Sequence, residues 1–325
     1  MQNLLFTIVY ATVLGNVASG AAQVYPSHPI TMIVPFAAGG GTDVAARIVG
    51  EHMSRTLGQQ IVIENAPGAG GTTGSARAMR ASPDGYTIEM GQMGTHAAAV
   101  ALYPNLAYRP DIDFAPIGLV GWVPVTIVAR RDFPPKNLKE FIPYVKANAQ
   151  TLNVAHPGVG SVGFTCSLLF NSIIGVKPTL VPFSGAGPAM NALIGGQVDY
   201  MCDAINDAAP HVPSGTIKAY AIGSEQRSAV LPDVPTSKEA GLPEFQAMSW
   251  LALFAPKDMP KPLLDKLTSA LDKALDDGNS RKRLLDLGNE IPDKTSRGQH
   301  VLAALVKSEI ARWTPIIKAA NIRGE

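Results

Sequence analysis

Short apolar runs, each followed by glycines and then by apolar positions three and four apart, set the rhythm of the first hundred residues. Ile30, Met32, Ile33 and Val34 read as a strand, and Pro35, which has no N–H, stops its ladder. Gly39, Gly40 and Gly41 turn the backbone without a Cβ clash. Thr42 or Asp43 is then expected to cap a helix carrying Val44, Ala45, Ile48, Val49, Met53 and Leu57, ended by Gly58. The pattern repeats with strand Ile61–Glu64, glycine turn Asn65–Gly71 and a helix from Thr72 or Thr73. It repeats again with strand Tyr86–Met90, loop Gly91–His96 and an alanine-rich helix. Strand, glycine loop and helix three times over predict a mostly parallel sheet with helices on its faces.

Two extended apolar stretches, Ala115–Val120 and Val123–Ala129, are split by Gly121, Trp122 and Pro124, and read as the crossover to a second lobe. That lobe is predicted to hold a helix capped by Asn137, strand Leu152–Ala155 and helix Phe164–Ile174. Strand Thr179–Val181 then leads to a second Val-Pro-Phe loop and to a helix starting at Pro188. Strands Val198–Cys202 and Ile217–Ile222 complete it. From Arg227 the chain changes character: a proline-rich surface segment (231–243), strand Ala247–Phe254, and charged amphipathic helices Lys261–Leu275, Ser280–Leu287 and Arg297–Ala320. Pro315 is expected to bend or end the last of these. The result is two α/β lobes joined by two chain passages, with a cleft between them.

The 325 residues are 46% hydrophobic and 16% charged with a net charge of +1, enough for a large core spread over two domains. No basic run interleaves with aromatics, which argues against nucleic acid. Residues 1–22 run from apolar (Leu4–Leu14) to small (Val17–Ala22), as a secretory signal peptide does, although no Lys or Arg precedes Leu4. Cys166 is placed on a helix and Cys202 on a strand, so two buried free thiols are expected. The six histidines form no ligand pair, and no metal is expected.

Residues 158–163, GVGSVG, match a dinucleotide fingerprint after a strand, but no Asp or Glu lies in Gly175–Phe183 to hold a ribose. A Walker loop and a G-x-S-x-G elbow are both absent. Asp43, His96, Asp203 and Asp207 have no nucleophile at informative spacing, so catalysis is not supported and no cofactor is expected. A Rossmann-like enzyme stays as the alternative, as does a ligand sensor. What the loops share is convergence. Pro35–Gly41, Asn65–Gly71, Gly91–His96, Gly158–Gly163 and Pro182–Gly187 all end strands, are rich in small residues, and contain no Lys or Arg. Backbone N–H groups, helix N-termini and the hydroxyls of Thr42, Thr95, Ser161 and Ser184 suit a carboxylate. His96 and Asp203 can contact a ligand, and Phe36, Trp122 and Phe183 can supply apolar walls, which favours a ligand with an aromatic or apolar body.

The ordered set VPFAAGGGTDVAAR (34–47), VIENAPGAGGTTG (62–74), SPDGYT (82–87), DFAPIGLV (113–120), GVGSVG (158–163), VPFSGAGPAMNALIGGQVD (181–199) and RSAVLPDVPTSKEAGLP (227–243) resembles the Bug/TctC family. These are the extracytoplasmic solute receptors of tripartite tricarboxylate transport systems. The resemblance implies an α/β type II periplasmic-binding-protein fold, two lobes with a central ligand cleft. Lobe 1 would be 23–125 with 226–325, and lobe 2 would be 126–225. It implies a monomeric periplasmic carrier of a small organic carboxylate, either a dicarboxylate or an aromatic carboxylate, that hands it to membrane permease subunits. The ligand residues it implies are Phe36, Ala38, Gly39, Gly40 and Thr42, then Ala69, Gly70, Gly71 and Thr95 on lobe 1. On lobe 2 they are Gly160, Ser161, Ser184, Gly185, Ala186 and Asp203, to which the loop chemistry adds His96 and Phe183. Many members carry Val-Pro-Tyr-Lys/Arg-Gly where this chain has Val181-Pro182-Phe183-Ser184-Gly185, and often His-Leu where it has Phe164-Thr165. Lobe 2 is accordingly more apolar here.

Overall fold

β1 (Ile30–Val34) is buried over most of its length and continues into α1 (Gly41–Leu57), which lays Ala45, Ile48, Val49, Met53 and Leu57 on the sheet. Gly58 closes α1 in the left-handed conformation, φ 75°, as its position predicts. The helix begins at Gly41 with Gly40 as N-cap, so neither Thr42 nor Asp43 caps it; Asp43 turns inward and bonds backbone and side chains below. The computed structural model describes residues 25–320, and the expected signal sequence lies outside them. β2 (Ile61–Asn65), α2 (Thr72–Met79), β3 (Thr87–Gln92) and α3 (Ala99–Leu102) follow.

β4 (Phe114–Arg130) is one 17-residue strand, not two segments. Bulges between Pro116 and Gly118 and between Leu119 and Gly121 absorb its irregular residues. Leu119 and Trp122 donate their N–H groups to the carbonyls of Arg297 and Glu290. Beyond β4 come α4 (Leu138–Asn148), β5 (Asn153–His156), α5 (Val162–Ile174), β6 (Thr179–Pro182) and α6 (Ala186–Ile194). Next are β7 (Tyr200–Ala204), α7 (Ile205–Ala208) and β8 (Ile217–Ile222). The chain then returns through β9 (Met248–Pro256) to α8 (Lys261–Asp276), α9 (Gly278–Asp286) and α10 (Gln299–Ala320). α10 does not end at Pro315 but continues to Ala320, with Trp313 and Ile317 on either side of the proline both buried in the core.

The strands order as β2-β1-β3-β9-β4-β7-β5-β6, with β8 on β4. Residues 114–124 of β4 pair with β9, and residues 125–130 pair with β7 on one flank and β8 on the other. The expected mostly parallel sheet is mixed: β1 with β2 and β3, and β5 with β6 and β7, are parallel, while every pairing of β4 and β9 is antiparallel. The long returning strands impose this, since β9 comes back beside β4 from the far side of the fold. An aromatic cluster of Phe133, Phe141, Phe170, Tyr200 and Tyr220 fills the core behind β7 and β8.

Cys166 and Cys202 are joined as a disulfide, against the expectation of free thiols. α5 packs directly on β7, so residues from different elements face each other with Cα atoms 5.6 Å apart. The bridge closes a loop of 36 residues. Replacing both cysteines by serine is expected to lower unfolding free energy by about 4 kcal/mol, the loop-closure entropy returned to the unfolded chain. Equilibrium denaturation of oxidised wild type against the double variant measures it.

Candidate functional site

Between the two halves of β4 the strand ends open into a cleft of about 880 Å³. Three helix N-termini face it: α1 through Gly40–Thr42, α5 through Ser161 and Val162, and α6 through Gly185–Gly187. Each is equivalent to about half a positive charge with unpaired N–H groups at its end. Among the described residues no Lys or Arg lines the cleft; its acidic side chains are Asp43, Asp203 and Asp207, and His211 lines it as well. Phe36, Phe183, Val123 and Leu251 supply apolar wall, and Gln92 and Ser249 polar floor.

The first loop is held by Asp43, only 2% exposed. Its carboxylate accepts from Gly39 N–H (2.9 Å), both guanidinium arms of Arg47 (2.9 and 3.0 Å) and Asn65 Nδ2 (2.9 Å). Burial acts to raise its pKa, but the hydrogen bonds from Arg47, Gly39 and Asn65 outweigh it and hold the group below the usual range. Asn65 also donates to Phe36 O, so one carboxylate fixes the loop and both strand ends. Across the cleft, the Ser161 hydroxyl accepts from Phe164 N–H and donates to Gly158 O. It caps α5, leaving the helix end rather than the hydroxyl as the anion-facing feature.

Of the residues singled out from the sequence, Phe36, Ala38, Gly39, Gly40, Thr42, Ala69, Gly70, Gly71, Ser161, Phe183, Ser184, Gly185, Ala186 and Asp203 all line the cleft. Thr95, His96 and Gly160 do not. After β3 the chain makes a π-helical turn, Gly94–Ala98, that tucks Thr95 and His96 inward to full burial. Thr95 Oγ1 bonds the Gln92 backbone and meets His96 Nδ1 at 2.9 Å. The His96 ring stacks on Phe254 at 3.9 Å, and burial drives its pKa down to about 3. Glu89, 3.8 Å from His96 and bonded by Ser75 Oγ, is pushed up to about 8 by burial. This is a neutral internal brace beneath Gln92, the residue of that loop that does reach the cleft. Gly160 is spent on close approach: a Cβ on Gly94 would stand 2.1 Å from its carbonyl oxygen. Trp122, named as a wall, packs instead with the core behind β9.

The facing loops meet by backbone at other points too. A Cβ on Gly70 would stand 2.1 Å from Val159 O, which Tyr103 OH also bonds at 3.0 Å. On the opposite flank Asp207 accepts from Gly41 N–H at 3.3 Å, and Asn206 packs against Gly41. Asn206, Ser249 and Leu251 are cleft residues that carried no sequence signature of binding: they lie on β9 or in a single helical turn outside any glycine motif, whereas Gln92 belongs to the Gly91–His96 loop and Asp207 to the carboxyl groups weighed for catalysis.

The family model for the tripartite tricarboxylate transporter family receptor matches residues 45–322. The chain belongs to this family. A UPF0065 protein from the TAR-I ttuE–ttuC' intergenic region of Agrobacterium vitis is 42% identical over 98% of this chain and 92% of its own. The solved structure of MatC from Rhodopseudomonas palustris with bound malate is 51% identical, with a TM-score of 0.86 over 90% of this chain and all of that one. That of the periplasmic binding protein BugD is 42% identical, with a TM-score of 0.87 over 93% and 100%. The receptor thus has the two-lobed binding-protein fold, in a family of periplasmic solute receptors.

Gly94→Ala is expected to force the facing loops apart at about 1–3 kcal/mol, since the clash is with backbone. Small-angle scattering should show a larger radius of gyration than wild type with unchanged helicity. Gly278→Ala, where a Cβ meets open space, should change neither.

Proposed function

We propose that this receptor is an exported periplasmic protein that captures a small dicarboxylate and delivers it to the membrane subunits of a tripartite transporter. The observation that carries the reading is the convergence of three helix N-termini on one cleft without a cationic side chain. Such a site holds carboxylate oxygens by N–H groups and dipoles fixed before the ligand arrives. MatC, with malate bound, supports a ligand of that size and charge. Phe36 and Phe183 on the walls favour aromatic carboxylates as the second class to screen.

In this reading residues 1–22 direct export, 23–125 with 226–325 form one lobe, and 126–225 form the other. Each lobe offers one jaw, Gly39–Thr42 and Ser184–Ala186, and the ligand favours the form in which both jaws touch it. The protein works as a monomer, and its role is binding rather than catalysis. No helix among the described residues is long and apolar enough to cross a membrane.

L-malate, succinate, citrate and benzoate are the first panel for thermal unfolding. A true ligand at about 1,000 times its Kd should add roughly 4 kcal/mol of stability, and mass spectrometry of ligand released from purified protein should name the same class. A panel of mono-, di-, tri- and aromatic carboxylates that shifts nothing overturns the reading.

A further inference from the structure

We infer that Asp203 meets the ligand as a neutral carboxyl group, donating its proton to a ligand carboxylate oxygen and thereby making dicarboxylate capture proton-linked. The inference rests on the carboxylate-receptor reading above and adds the protonation state of the Asp203 carboxyl.

The cleft presents three carboxyl groups to a ligand that is itself an anion. One of them is compensated. Asp43 is chelated by Arg47 and accepts from Gly39 and Asn65. Asp207 is offset only in part: it places one oxygen on Gly41 N–H, at the positive end of α1, while burial still pushes it up to about 6. Asp203 has no such support. It is 2% exposed and lines the cleft. Its Oδ1 accepts only from Ala204 N–H at 2.9 Å, and its Oδ2 has no partner. An ionised Asp203 would leave a bare buried oxygen in the wall of a cleft that takes an anion, with another carboxylate four residues away. A proton on Oδ2 removes both problems and turns the bare acceptor into a donor.

The surroundings hold no cation that would undo this. α5 and α6, packed on either side of the cleft, contain no charged residue. β5 contributes His156, whose Nδ1 faces the Gly158 N–H and whose pKa burial lowers. Arg130 of β4 lies four residues along from Thr126, the register partner of Asp203, and is committed to Asp132 and Asp199. His211 follows α7 and lines the cleft. Burial first, and then the charge of Asp207, hold the Asp203 carboxyl well above the usual range.

Sign and window follow. With a neutral Asp203 required, affinity is full below its free-state pKa. Affinity then falls as pH rises through that value, by about tenfold per unit, until the higher pKa of the complex is reached. In that window each ligand bound takes up to one proton from solvent.

The test is calorimetry of the full mature chain with succinate and with L-malate from about pH 6.5 to 10, where both ligands are fully ionised. Buffers of different ionisation heat give the proton count. The expected result is a fall in affinity with proton uptake for both ligands, and a flat profile with no Asp203-linked uptake for Asp203→Asn, whose amide supplies a permanent donor. Wild-type profiles need no variant, and circular dichroism verifies that Asp203→Asn is folded. A flat wild-type profile, or an unchanged fall in Asp203→Asn, overturns the inference while leaving the receptor reading intact. Malate binding without succinate binding, with no fall in affinity, also overturns it, because it makes Asp203 an ionised acceptor for the hydroxyl. Failure of every carboxylate at every pH overturns both.

Discussion

The antiparallel pairing of β4, with β9 along its first part and with β7 and β8 along its second, is the constraint from which the cleft follows. One continuous strand belongs to both halves of the sheet. The ends of β1 and β2 on one side and of β5 and β6 on the other therefore point at a common volume. The loops that leave those ends have nowhere else to go, and the helices they start, α1, α5 and α6, aim their N-termini inward. The bulges at Pro116–Gly118 and Leu119–Gly121 keep the strand paired with β9 across its irregular residues, and the change of partners follows between Pro124 and Val125.

Anion recognition without cations has a specific energetic character. Backbone N–H groups cannot swing away, and helix ends need no side-chain ordering when a ligand binds. The same absence of Lys and Arg leaves the site's own carboxyl groups to be balanced individually. Arg47 balances Asp43 from outside the lining, and the end of α1 offsets only part of the burial of Asp207. Asp203 is left with one backbone bond. The disulfide one residue before it ties β7 to α5, so the position of this carboxyl is fixed relative to the Ser161 cap.

How much of this was legible depended on whether the information was local. The glycine loops were: Pro35, Gly39–Gly41 and the Val-Pro-Phe echo at 181–183 mark strand ends by chemistry that acts within a few residues. The ordered motifs carried the family. What failed was non-local. Gly91–His96 reads as one more loop, but Gly94–Ala98 winds into a π-helical turn in which His96 stacks on Phe254, on a strand 158 residues later. β4 reads as two strands because Gly121 and Pro124 break propensity, and only the partners supplied by 289–297 and β9 hold it together. Cys166 and Cys202 carry no sign of their pairing until α5 is laid on β7. Ser249 and Asn206 reach the cleft through topology, which no window of sequence encodes.

Part of the contact between the two halves is glycine against carbonyl: Gly70 with Val159, and Gly94 with Gly160. Contacts of that kind are indifferent to side-chain identity. The residues that face the ligand at the second jaw, Phe183 and Ser184, are outside these contacts. Closing and choosing are thus carried by separate atoms. A lineage built on this plan can exchange one cargo for another by altering a few exposed side chains, while the way its jaws shut is inherited unchanged.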